Sequence, residues 1–120
     1  MVTQTEAFRL LASADRQLVL HELCEEGGDA SISELSERIA ARRHRLSPDK
    51  ISDKQVERAR VRLVHAHLPK LSEADIINHD VRDNTVVLNE DESVARLFDA
   101  ADEIDGWPPT DLLEHPARRR

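Results

Sequence analysis

A mainly α, α+β fold is predicted for this chain of 120 residues, in the order helix, short strand, helix, helix, β-hairpin, helix. Three observations predict it. Apolar residues recur at helical spacing in four separate stretches, the pattern of a buried helix face. Two short β-like runs, Ile76–Asp80 and Thr85–Leu88, flank Val81-Arg82-Asp83-Asn84, a turn rich in Asp and Asn. Finally, the stretch LVHAHLPKLSEADII (63–77) places Leu63, His67, Leu68 and Leu71 at helical spacing. It then passes through a polar break straight into the strand-like Ile76-Ile77.

The first helix lies within EAFRLLASADRQLVLHELCEE (6–26). Ser13 caps it, Asp15 stands in the first turn where the helix dipole favours an anion, and Gly27-Gly28 stops it. Leu20, Leu23 and Cys24, with Val19 beside them, form its inner stripe, so Cys24 is read as a buried structural thiol. Phe8, Leu10 and Leu11 form an earlier turn on the same core. Ala30-Ser31-Ile32 is a short extended link. Ser31 or Ser33 caps the second helix; Ser31-x-x-Glu34 fits a capping box, and Leu35 and Ile39 are its buried stripe. Residues 42–52, RRHRLSPDKIS, show no period, and Pro48 either breaks the chain or starts a brief turn.

Asp53 is expected to cap the third helix, which runs to about Leu68. Its inner stripe is Val56, Ala59, Leu63 and His67; its outer stripe is Lys54, Gln55, Arg58, Arg62 and His65. His67 is read as a hydrogen-bonded core residue. Pro69 ends this helix or tightens its last turn. A final helix spans about Asp91–Ile104, with Val94, Leu97, Phe98, Ala101 and Ile104 on one face, and Gly106-Trp107-Pro108-Pro109 stops it. Residues 1–106 then form one domain and 107–120 a C-terminal tail. No internal repeat has a useful period.

Charge is uneven. The net charge is −7, yet residues 42–70 hold nine Arg and Lys against three acids, a surplus of six. A basic island inside an acidic chain says more than the total. Only three of the 17 basic residues are Lys; many acids with few Lys point to an organism with a salty cytoplasm, where acidity does not exclude an anionic partner. One cysteine excludes an internal disulfide, so a reducing, cytoplasmic location is expected. No apolar run reaches the roughly 20 residues needed to span a bilayer, and MVTQTEAFRL lacks a signal-peptide layout. No membrane partner is expected.

This element order is the layout of a winged helix-turn-helix. His67-Leu68-x-x-Leu71 followed by Ala74-Asp75-Ile76 resembles the His-Leu-x-x-Leu then Ala-Gly-hydrophobic run of many small winged-helix repressors, with Asp75 in place of the glycine and Pro69 interrupting the run. Arg16-x-x-Val19-Leu20-x-x-Leu23 is similar to the same families. Over about residues 8–90 the pattern most closely resembles a family of uncharacterised winged-helix domains from halophilic archaea, presumed regulatory. The resemblance implies a DNA-binding transcriptional regulator, acting on double-stranded DNA and dimeric as many winged-helix proteins are.

In such a motif the third helix enters the major groove. Lys54, Gln55, Arg58, Arg62 and His65 then face base edges, where Arg pairs with guanine and Gln with adenine. Arg42, Arg43 and Arg45 contact phosphate from the preceding loop. The wing offers Arg82 and Asn84, flanked by Asp80 and Asp83. The apolar face of the final helix (Val94, Leu97, Phe98, Ala101, Ile104) is the candidate dimerisation surface, or it completes the core of a monomer. Trp107 covers the end of that helix or anchors a partner. The competing class is a winged-helix interaction module that binds no nucleic acid. The linker between the second and third helices, about eleven residues by this reading, exceeds the usual three- or four-residue turn.

Catalytic chemistry finds no anchor. His21-Glu22 matches the start of a zinc-protease motif, but position 25 is Glu where the second His belongs. His65 and His67 point to different helix faces and do not share a metal. Three glycines make no phosphate-cradling loop, and no Ser/His/Asp or Cys/His set stands out. Neither an enzyme, a cofactor, a metal site nor a small-molecule ligand is expected.

Overall fold

The computed structural model describes residues 2–104 and Trp107. Helix α1 (Gln4–Leu10) begins with a reciprocal capping box. Glu6 N–H donates to the Thr3 hydroxyl at 3.1 Å, and Thr3 N–H donates to the Glu6 carboxylate at 2.9 Å. The turn expected around Phe8 is therefore a full helix. Leu10 and Leu11 are buried as anticipated, whereas Phe8 is 37% exposed.

Ser13 caps α2 (Ala14–Glu25), whose Leu18, Val19, Leu20 and Leu23 are buried. Cys24 corrects the expectation of a buried thiol: it faces solvent. One step past Leu23 is a turn of about 100°, enough to carry the side chain off the buried arc. Gly27 and Gly28 end α2 with φ of 83° and 109°, a conformation glycine adopts without strain. Gly28 N–H donates to Leu23 O and its carbonyl accepts from Leu88 N–H, both at 2.7 Å, so the turn hands the chain to the sheet.

The extended link is a true strand, β1 (Asp29–Ser31). Ser31 is the serine that caps α3 (Ile32–His44), in a capping box with Glu34. The helix reaches past the expected irregular start at residue 42. Arg45 closes it in the left-handed region (φ 57°), while Leu46 N–H returns to Ala41 O at 3.0 Å. After a single 3₁₀ turn (Pro48–Lys50) comes α4 (Asp53–Arg62), capped by Ser52 rather than Asp53; Gln55 completes the box. Asp53 occupies the first helical position, where the dipole still favours its charge.

Pro69 does not end the helix. The backbone continues from α4 through a π turn (Leu63–His67) into α5 (Leu68–Glu73). Leu68 N–H reaches five residues back to Leu63 O. The wider turn absorbs the missing proline donor and the clash its ring would make in a regular helix. This answers how a helix carries LPKL into a strand. At Asp75 the chain turns left-handed (φ 62°), Ile76 N–H bonds back to Leu71 O at 3.0 Å, and the strand begins.

Strands β2 (Ile77–Asp80) and β3 (Thr85–Leu88) form the expected hairpin. With β1 they make an antiparallel sheet in the order β1-β3-β2, in which Val86 pairs with both Ala30 and His79. Asp91 caps α6 (Glu92–Ala101), which packs on α1. One core joins all these layers, from Leu11, Leu18 and Leu23 to Leu63, Leu68, Leu71, Ile76 and Leu97. The result is mainly helical with a small three-stranded antiparallel sheet, a winged-helix-like arrangement. Among the described residues no helix is long and apolar enough to cross a membrane.

Candidate nucleic-acid interface

Helix α4 packs against α3 with its Ala59 side buried and its opposite side in solvent. Lys54, Arg58 and Val61 on that open side, and His65 in the π turn that continues it, recur at steps of four, three and four, and all are exposed. Val61 is 44% exposed. None of Lys54, Arg58 and His65 forms an ion pair among the described residues. Of the two acids of α4, Asp53 stands at the first helical position and Glu57 pairs with Arg60 at 3.7 Å.

Other members of the anticipated set are already engaged. The Gln55 carboxamide oxygen accepts from Ser52 N–H at 2.9 Å, which ties the side chain to the cap of α4. Arg62 does not join Arg58. Its Nε donates to the buried Asp15 carboxylate at 2.9 Å. Arg43 Nη1 donates to the other Asp15 oxygen at 2.8 Å, and His67 Nε2 lies 3.2 Å from the first. Arg42 Nε donates to Glu22, which is 2% exposed and also meets Arg38 at 3.4 Å. Arg45 is exposed at the end of α3, and Arg82 is exposed at the hairpin turn, where Asp80 accepts from the backbone N–H groups of Arg82 and Asp83.

Asp15 thus ties α2 to α3, α4 and the π turn. Burial pushes its carboxyl up, but the hydrogen bonds from His67 and Arg62 and the charge of Arg43 outweigh burial and hold it well below the usual carboxylate range. On its other edge the His67 ring lies 3.4 Å (Nδ1) from Arg16 Nη1. Arginine only donates, so Nδ1 accepts and Nε2–H donates to Asp15. His67 is the hydrogen-bonded core residue that its place on the inner stripe implies.

Sequence reasoning missed the roles of Asp15 and Glu22. Asp15 reads as a dipole-matching charge and Glu22 as half of a broken metal motif. The signal present was that the acids Asp15 and Glu22 fall on the same arc of α2 as its leucines, so burial there demanded cationic partners. The surplus of basic residues at 42–62 supplies them.

The candidate dimerisation face is spent within the chain. Val94, Leu97 and Ala101 are buried in its own core, and Phe98 and Ile104 pack partly buried against it. Trp107 lies on the same core, its ring centroid 5.9 Å from Phe98 and 6.1 Å, edge-on, from His21. The expected helix stop at Gly106 lies outside the described residues, as does the expected tail (107–120) beyond Trp107.

Residues 8–87 match the family model described as a domain of unknown function, DUF7344. The chain belongs to the DUF7344 family. The DUF7344 match covers α2, α3, α4 and the hairpin, and therefore both the Asp15 cluster and the open face of α4, while α6 lies beyond it. No curated protein and no solved structure matches the chain.

Proposed function

We propose that this DUF7344 chain is a winged-helix, sequence-specific DNA-binding transcriptional regulator that lays α4 in the major groove. The observation that carries this reading is the open face of α4. Lys54, Arg58 and His65 stand there exposed and without ion-pair partners among the described residues, whereas Arg42, Arg43 and Arg62 nearby on α3 and α4 are paired with buried acids. A helix of this kind fits the major groove and places such donors against base edges. Val61, between them, suits the methyl group of thymine. Arg45 and Lys50 at the linker, with the half-exposed Arg43, reach phosphate. Arg62 and Arg42 serve as struts that fix α4 and α3 on α2.

The contact set is smaller than the charge count implies, and this agrees with a halophilic origin. In a salty cytoplasm phosphate contacts contribute little, and base contacts have to supply the specificity. The test is a mobility-shift assay of the full chain on genomic fragments. The reading expects Lys54→Ala plus Arg58→Ala to abolish fragment-selective shifts while leaving the melting temperature unchanged. Selective shifts that survive the double substitution contradict it, and a folded protein that shifts no fragment points to an interaction module.

A further inference from the structure

Between α1 and α5 lies a cavity of about 410 Å³, within the range of roughly 300–1,000 Å³ typical of small-ligand sites. Its charge is unbalanced in an informative way. Arg9 stands on the α1 side, Lys70 on the α5 side, and Arg16 lines it from α2. Among the described residues none of these three cations forms an ion pair. Two acids, Glu6 and Glu73, also line the cavity, yet neither lies within ion-pair distance of the cations. The Glu6 carboxylate is instead held by Thr3 N–H.

Arg16 is the unusual member. It is 8% exposed. Its Nε donates to Leu10 O at 2.7 Å, Nη2 to Arg9 O at 3.3 Å and Nη1 to His67 Nδ1 at 3.4 Å. These bonds take three of the five guanidinium donors and leave one on each terminal nitrogen. Three neutral acceptors hold it in place. The nearest anion, Asp15, acts on it across the His67 ring and already serves Arg43 and Arg62, so positive charge stays in surplus here. A buried cation whose one anion is shared is costly unless something further compensates it. Leu10 and Ala74 add an apolar strip.

We propose that this cavity binds a small organic acid with two or more carboxylates. One carboxylate sits on the spare Nη donors of Arg16, another is shared by Arg9 and Lys70, and the carbon skeleton rests on Leu10 and Ala74. The site is separate from the open face of α4, so it stands or falls independently of DNA binding. Arg16 also touches His67, whose ring reports on occupancy.

The experiment is an NMR titration of the full chain with citrate, against sodium chloride at matched ionic strength, following Arg16 Nε–H and the His67 ring. The proposal expects saturable shifts at both with citrate alone. Arg9→Ala plus Lys70→Ala, both exposed positions, weakens binding by about tenfold or more while the melting temperature stays within the scatter of the parent. Glu73→Gln, which removes a competing anion, tightens it and keeps the test decisive if the double variant proves poorly folded. Three results overturn the proposal: no saturable shift beyond that of chloride, shifts confined to α4, or citrate affinity unchanged in the variants.

Discussion

The carboxylate of Asp15 is 5% exposed and meets Arg43, Arg62 and His67, from two other helices and the π turn. Removing one member of such a buried cluster leaves the others uncompensated, which costs about 3–5 kcal/mol when all partners are buried. Arg43 and Arg62 are 46% and 34% exposed and recover some hydration, so Asp15→Ala is expected to cost about 2–3 kcal/mol, readable by urea unfolding. The folded carboxyl is held below its ordinary value of 3.8. Its contribution is therefore full above that value and lost as pH falls through it toward the folded one. Asp15→Asn should flatten the acid limb of stability against pH below about 4, with little change in its slope above.

The same contacts separate two arginines that sequence spacing groups together. Arg62→Ala should destabilise by about 1–3 kcal/mol by uncoupling α4 from Asp15, whereas Arg58→Ala should stay within about 0.5 kcal/mol of the parent. Only the second is expected to weaken DNA binding without lowering the melting temperature. Asp75 offers a change of opposite sign. It holds φ 62° at the position where the resembling repressors carry glycine. Left-handed backbone costs a side-chain-bearing residue about 1 kcal/mol. Asp75→Gly should recover part of that, raising the melting temperature by a few degrees.

At the scale of elements, the parts set by periodicity and capping chemistry were legible in the sequence. The hairpin of Ile77–Asp80 and Thr85–Leu88 and the stop at Gly27-Gly28 follow from local rules and stand where those rules place them, while the choice of Ser31 over Ser33 as the cap of α3 was left open by them. The passage through Pro69 was not legible, because a proline in a helical pattern reads as a stop. A π turn has no sequence signature of its own; packing of Leu63, Leu68 and Leu71 into the core decides it. The candidate interface was half legible. The exposed positions Lys54, Arg58 and His65 follow from helical spacing, but which arginines are spent inside depends on Asp15 and Glu22, far away in the chain. Long-range charge pairing leaves no periodic trace. The amphipathic face of α6 was visible, but spacing alone does not tell which surface covers it. The structure places Leu97, fully buried, in the chain's own core. Leu97→Ala should therefore cost about 2–5 kcal/mol, and the loss should not depend on protein concentration, as chemical denaturation at two concentrations will check.

For the whole molecule, the acidic total and the basic island divide the labour. Three of its nine cations, Arg42, Arg43 and Arg62, bind the buried Asp15 and Glu22 and fix the α3–α4 pair on α2. What remains outside is a short row on α4 and a few cations at the linker. The DUF7344 match spans this arrangement and stops short of α6. We propose that the exposed row on α4 reads DNA. The most direct measurement is fluorescence anisotropy of labelled duplexes with the full chain, with potassium chloride stepped from low to molar. With Arg43, Arg45 and Lys50 on phosphate and Lys54 and Arg58 on base edges, we expect saturable binding and a slope of log affinity against log salt of about −3. A fragment preference should persist at high salt and disappear in the Lys54→Ala, Arg58→Ala variant. Folded protein that shows no saturable binding even at low salt would contradict this reading.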